Sequence, residues 1–175
     1  MSETGAAKPA VGVGGVVFDA QGRVLLVRRA RPPQAGLWHI PGGRLEVGET
    51  LAECCRREVL EETGIEVRPG PIVAVADRAI EGFHYIIIDF LAERVQPDGG
   101  DPQPPSDASD ARWVHPDELS TYPLVKGLRE VIAAAHAGMA AGEGAGLAAA
   151  SDCSWLYLAK GWEDGAGKIG IHGNL

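Results

Sequence analysis

The stretch Gly43-Arg-Leu-Glu-Val-Gly-Glu-Thr-Leu-Ala-Glu-Cys-Cys-Arg-Arg-Glu-Val-Leu-Glu-Glu-Thr-Gly-Ile65 decides how the rest of the chain is read. It carries a helix with both ends marked. Thr50 offers a side-chain acceptor to the open N–H groups of a first turn, and Glu53, three residues on, can return the bond, which is the pattern of a capping box. Gly64 can take the left-handed backbone that closes a helix. The spacing therefore predicts a helix over residues 51–63. At 3.6 residues per turn, Glu58, Glu61 and Glu62 stand at i, i+3 and i+4, within an arc of roughly 100°. Ala52, Cys55 and Val59 fill the adjacent arc and can anchor the helix against a sheet.

Three carboxylates so close repel one another by a few tenths of a kcal/mol per pair. A divalent cation would offset this, since magnesium takes oxygen ligands and is commonly held by one or two carboxylates plus substrate phosphates. Taken alone, an ExxEE pattern is more often a solvated acidic face, here with Arg56 and Arg57 as neighbours.

Working outward, Val11 to Val17 reads as a strand, Asp19 to Gly22 as a turn and Arg23 to Val27 as a second strand, together a hairpin. Arg28, Arg29 and Arg31 follow as a cationic cluster, and Pro32 to Gly36 as a loop before the short apolar run Leu37 to Ile40. On the other side, Ile72 to Ala76 and Phe83 to Glu93 read as strands, the second apolar enough to be buried on both faces. Gln96 to Asp110 is rich in Pro, Gly, Asp and Ser and predicts a loop over the site. Ala111 to His115 is extended, Pro116 opens a brief helical turn, and Leu124, Leu128, Val131, Ile132 and Ala135 recur at helical spacing.

The 175 residues suit one domain with a full core. Residues 1–10 read as a tail, 11–137 as the domain and 138–175 as a Gly/Ala-rich extension of unassigned role. That extension is either a flexible tail or a segment whose Trp155, Leu156, Tyr157, Leu158 and Trp162 pack onto the domain or a second subunit. A net charge of −8 argues against a nucleic-acid polymer as partner and requires local cations or a metal for any phosphate ligand. Three cysteines, Cys54, Cys55 and Cys153, form neither a disulfide framework nor a zinc pair, and no signal peptide or bilayer-length apolar run is present, so a cytoplasmic protein away from membranes is expected.

Residues Gly43 to Ile65 resemble the Nudix box at every constrained position: Gly43, Glu49, Arg57, Glu58, Val59, Glu61, Glu62, Gly64 and Ile65. Nine such positions over twenty-three residues make chance agreement remote. The lead-in Gly36 to Gly42 is also similar to that of the family. The resemblance covers residues 11–137. It implies an α/β fold, an α/β/α sandwich with a mixed sheet and a catalytic loop-helix-loop.

It also implies roles. Glu58 and Glu62 would be the main ligands of a magnesium or manganese ion, with Glu61 and the Gly42 carbonyl as further ligands. Arg57 would orient the helix through Glu49. The general base would be a helix glutamate, Glu61 or Glu62, or an acid of the later loop, Asp107 or Asp110. Arg28 and Arg29 are candidate phosphate contacts and Trp38 a candidate stacking platform for a base, while His39 and His84 read as structural.

The implied activity is hydrolysis of the diphosphate linkage of a nucleoside diphosphate derivative by metal-activated water, leaning to ADP-ribose or a similar nucleotide sugar. The SQPWPFPxS run of the NADH-cleaving subgroup is absent, and Ile80 and Glu81 stand where one ADP-ribose subgroup carries a proline. A MutT-like house-cleaning pyrophosphatase of nucleoside triphosphates is the nearest alternative. A non-catalytic nucleotide sensor is the alternative of another class, and it usually loses box glutamates that are all present here. An isomerase would need a nucleophile, for which Cys54 is the one nearby thiol. The expected partners are a small nucleotide and, for a homodimer, a second copy of the chain.

Overall fold

The computed structural model describes residues 8–104, 110–141, 147–150 and 153–159, and side chains as far as Met139. Nine strands and two α-helices are defined among them: β1 (Ala10–Val17), β2 (Val24–Arg28), β3 (Trp38–His39), β4 (Gly42–Arg44), α1 (Leu51–Thr63), β5 (Val67–Ile80), β6 (Phe83–Arg94), β7 (Asp110–Val114), α2 (Leu128–Ala141), β8 (Leu147–Ala150) and β9 (Cys153–Ala159). A short 3-10 helix covers Pro116–Thr121. The strands form a mixed six-stranded sheet, β4-β1-β6-β5-β9-β8, and a three-stranded sheet, β3-β2-β7. Helix α1 packs on β1, β4 and β5, and α2 packs on β5, β6 and β9. This is the expected α/β arrangement.

The core divides in two. Cys54, Cys55 and Val59 of α1 meet Val13, Val17, Leu25 and Phe90. On the other side Leu128, Val131, Ile132 and Ala135 of α2 meet Val16, Leu26, Ala74 and Ala76. The four α2 residues repeat at helical spacing, as the sequence predicts, but Leu124 precedes the helix and lies in an isolated bridge with Trp38.

The hairpin expected from β1 and β2 is not a hairpin. Its turn forms, with the Asp19 carboxylate accepting the N–H groups of Gln21 at 3.0 Å and Arg23 at 2.8 Å. Only Phe18 and Val24 then bridge. Strand β1 already has β4 on one edge and a parallel β6 on the other, so no edge is left for β2, which joins the second sheet.

Strand β6 is also not buried on both faces. From Phe83 to Ile88 it is exposed or half-buried, and only Asp89, Phe90 and Ala92 are buried. Its apolar residues line a cavity on one face instead of meeting a covering layer. Beyond α2, which runs past residue 137 to Ala141, β9 extends the sheet by pairing Leu156, Tyr157 and Leu158 with Ala76, Val75 and Ala74. Trp162 lies outside the described residues. No helix among the described residues is long and apolar enough to cross a membrane.

Candidate active site

Helix α1 begins as its sequence dictates. Thr50 Oγ1 accepts the Glu53 N–H at 3.2 Å, and Glu53 Oε2 accepts the Thr50 N–H at 2.7 Å. Gly64 closes the helix at φ 70°, donating its N–H to the Leu60 carbonyl. Cys54, Cys55, Val59 and Thr63 are its buried residues, while Ala52, expected as an anchor, is only half-buried. That anchorage turns Glu58 and Glu62 toward the Gly42–Gly43 segment.

Arg57 ties the acids together. Its Nε and Nη2 bond Glu49 at 3.0 and 2.7 Å, Nη1 bonds Glu58 at 2.6 Å and Glu61 at 3.3 Å, and Nη2 also reaches the Arg44 carbonyl at 3.1 Å. A fork of this kind fixes a carboxylate in one geometry. The Arg57 bonds, followed by the Glu46 N–H, hold Glu49 down at about 2. The same bonds keep the guanidinium firmly charged.

Glu58 and Glu62 are treated differently. The Glu58 carboxylate occupies the space where a side chain on Gly43 would stand, so any side chain there would displace it. Burial pushes Glu58 up, against the pull of Arg57. Burial pushes Glu62 up to about 7, opposed by the Gly42 N–H at 3.0 Å and by Arg29, and reinforced by Glu58. Glu61 points outward, with 59% of its side chain exposed.

Hard oxygen donors crowded into a desolvated place suit a divalent cation. Glu58 and Glu62 have that character. Among the described residues no three acidic, histidine or cysteine side chains are spaced as a ready cage, so an ion would be completed by solvent and substrate oxygens. Gly42 meets Glu62 through its N–H, whereas its expected contribution is a carbonyl oxygen.

Glu62 opens onto a cavity of about 520 Å³ that runs from Gly42 and Gly43 to α2. Arg28 and Arg29 line it, and so do Arg31, Arg44, Arg78 and Lys126, which sequence reasoning did not assign. Arg29 is pinned by its Nε bond to the Pro33 carbonyl at 2.6 Å. His39 lines the cavity too, although it reads as structural from the sequence. Burial and the nearby Arg29 push it down to about 3, so its imidazole is neutral. The signal was strand alternation, because a core Trp38 sends its neighbour to the opposite face. Asp89 is the other unassigned residue, and an acid inside the run Ile86-Ile-Ile-Asp-Phe90 was its signal.

Two assignments fall elsewhere. Trp38 does not line the cavity and is 6% exposed, with its ring edge-on to Tyr122 at 5.3 Å and under Arg112 at 5.3 Å. The indole is a core residue held by Arg112 of β7 and by Tyr122. Asp110 is bound to Arg112 at 2.7 Å and does not line the cavity either. Asp107 lies outside the described residues. His84 is bound to Asp77 at 2.7 Å on the sheet surface. Burial and Glu49 push the Cys54 thiol up to about 12, which suits packing and not nucleophilic attack.

Comparison with known proteins shows the family and the fold. The family model described as NUDIX domain matches residues 8–135. A MutT-like protein of Streptomyces ambofaciens is 39% identical over 63% of this chain and 66% of its own length. An ADP-ribose pyrophosphatase of Methanocaldococcus jannaschii is 34% identical over 60% of this chain and 61% of its own length. The chain thus spans somewhat less than two thirds of either relative. Among solved structures, a Nudix hydrolase from Nitrosomonas europaea superposes with a TM-score of 0.64 at 28% identity, covering 75% of this chain and 90% of that one.

Proposed function

The chain belongs to the Nudix family, and on that premise we propose that it is a magnesium-dependent pyrophosphohydrolase cleaving the diphosphate linkage of a nucleoside diphosphate derivative. One observation carries the reading: the desolvated Glu58 and Glu62 meet at Gly42 and Gly43, on the rim of a cavity lined by six cations. A protein of net charge −8 needs such cations to admit a phosphate ester.

Glu58 and Glu62 would hold the ion, magnesium or manganese, with Glu61 as a more distant, solvent-side ligand. When bound, the ion supplies positive charge against phosphate oxygens and acidity for the attacking water. Arg28, Arg29 and Arg44 take the charge of the diphosphate. Water adds to one phosphorus, the bridging P–O bond breaks, and the other phosphate leaves with its electron pair. A helix glutamate, Glu61 or Glu62, takes the proton from water as general base. Arg57 takes no part in the bonds that change and keeps Glu49 and Glu58 in place.

Two substrate readings differ in what fills the cavity. ADP-ribose or a similar nucleotide sugar is favoured by the resemblance to the archaeal pyrophosphatase. A nucleoside triphosphate is favoured by the resemblance to the MutT-like relative. A nucleotide library assayed with magnesium in heavy-oxygen water, with products weighed by mass spectrometry, names the substrate and the phosphorus attacked. Absence of turnover across the library, with and without metal, would remove the hydrolase reading.

A further inference from the structure

Among the described residues, Asp89 is the buried acid of the cavity that the mechanism leaves unused. Alternation along β6 places Tyr85, Ile87 and Asp89 on the cavity face. Parallel pairing sets Asp89 beside Gly14 of β1. Asp89 Oδ1 fills the space that a side chain on Gly14 would need, and Ile40 Cδ1 stands 3.0 Å from the same point. The residue is 6% exposed, and burial pushes its carboxyl up with no neighbouring donor or cation to offset the shift.

A buried acid without partners costs stability, and an acid kept for structure would be hydrogen-bonded. Asp89 lines the same cavity as the apolar side chains of Ile40, Ala76, Ile87 and Val131 and the cations that would meet phosphate. From this geometry we propose that Asp89 is the specificity-determining residue of the site, reading the Watson–Crick edge of a guanine nucleotide. The inference rests on the pyrophosphohydrolase reading and narrows it.

The chemistry of the edge makes the choice. An ionised carboxylate offers two acceptors side by side and no donor. Guanine presents two adjacent donors, N1–H and the 2-amino group. Adenine and cytosine place a ring acceptor beside the amino group, an edge that the protonated acid can pair with but that sets one oxygen of the ionised carboxylate against a lone pair. Uracil offers one N–H between two carbonyls. Burial alone pushes Asp89 up to about 7. Paired donors would restore its charged form.

The test compares guanosine, inosine and adenosine diphosphate derivatives with one common leaving group at saturating magnesium. The unmodified protein is expected to favour guanosine over both others by about 10- to 100-fold in kcat/KM, as befits a buried charged acceptor left half-paired. Asp89→Asn, nearly isosteric, should lose most of that ratio, through a raised KM for the guanosine compound, with the thermal midpoint equal or higher. An unchanged ratio in the variant, or a preference of the unmodified protein for adenosine, overturns the inference while leaving the hydrolase reading intact. If nothing is hydrolysed the hydrolase reading fails first. Calorimetry with GDP and ADP as probes on the unmodified protein then decides separately, equal affinities counting against Asp89 as a reader.

Discussion

Arg57 holds Glu49 through two parallel bonds, Nε to Oε2 at 3.0 Å and Nη2 to Oε1 at 2.7 Å, while its Nη1 holds Glu58 at 2.6 Å. The residue before the α1 cap and the inward face of α1 are thereby locked to one side chain. Lysine carries charge but no fork. Arg57→Lys is therefore expected to lower kcat by roughly 10- to 100-fold, by loosening Glu58, with a thermal midpoint within a few degrees of the parent because the group is partly solvated. Steady-state kinetics beside a melting curve checks this. Parent-like turnover in the lysine variant would show that the lock is dispensable.

Glu62 sits where loss of charge should help the empty fold and harm the reaction. Burial and Glu58 oppose its ionisation, so Glu62→Gln removes repulsion in the metal-free protein. Its thermal midpoint should equal or exceed that of the parent, while kcat falls by about a thousandfold or more. A variant that melts higher and still turns over at the parent rate would take Glu62 out of the chemistry.

These two residues were legible because their partners lie close in sequence or inside one repeated pattern. The cap at Thr50 and Glu53, the stop at Gly64 and the face shared by Glu58 and Glu62 are all set within α1 and its flanks. Asp89 and His39 were not legible in the same way. What each faces depends on strands that meet only in the fold, Gly14 beside Asp89 and Val27 beside His39. The misjudged hairpin has a related cause. Asp19 and Gly22 determine a turn, but which strands pair beyond it depends on β4 and β6 taking both edges of β1.

Trp38 illustrates how a distant partner changes a role. Its ring is enclosed by Tyr122 and Arg112, residues far along the chain, so it is expected to act in stability and not in binding. Trp38→Ala should cost about 3–5 kcal/mol, as large aromatic truncations in cores do. Arg29→Ala, at the cavity rim, should instead raise KM several-fold with little change in melting. Urea denaturation of both variants beside their kinetics separates the two roles. A tryptophan variant of parental stability with raised KM would return Trp38 to the site.

Three desolvated groups together shape how the metal-free protein responds to pH. Asp89 and Glu62, both pushed up to about 7 from usual values of 3.8 and 4.5, keep protons that the unfolded chain releases. Their stabilisation is complete below the unfolded values and is lost as pH rises through 7. His39, pushed down to about 3 from 6.5, has the opposite sign, since the unfolded chain gains a proton there as pH falls. Between pH 4.5 and 6.5 two acids oppose one base, and stability should fall with rising pH by on the order of 1 kcal/mol per unit. Below that window the loss of the Glu49 ion pair turns the curve down again, so the maximum for the metal-free protein lies near pH 4.5. Asp89→Asn should flatten the descending limb. Magnesium must displace protons from the acids that hold it, so the rise in melting temperature on adding it should grow from pH 5.5 to 8. Melting curves across pH with and without magnesium check all three expectations. A metal-free midpoint that climbs steadily from pH 5 to 7 would mean that the two acids are not held as their burial requires.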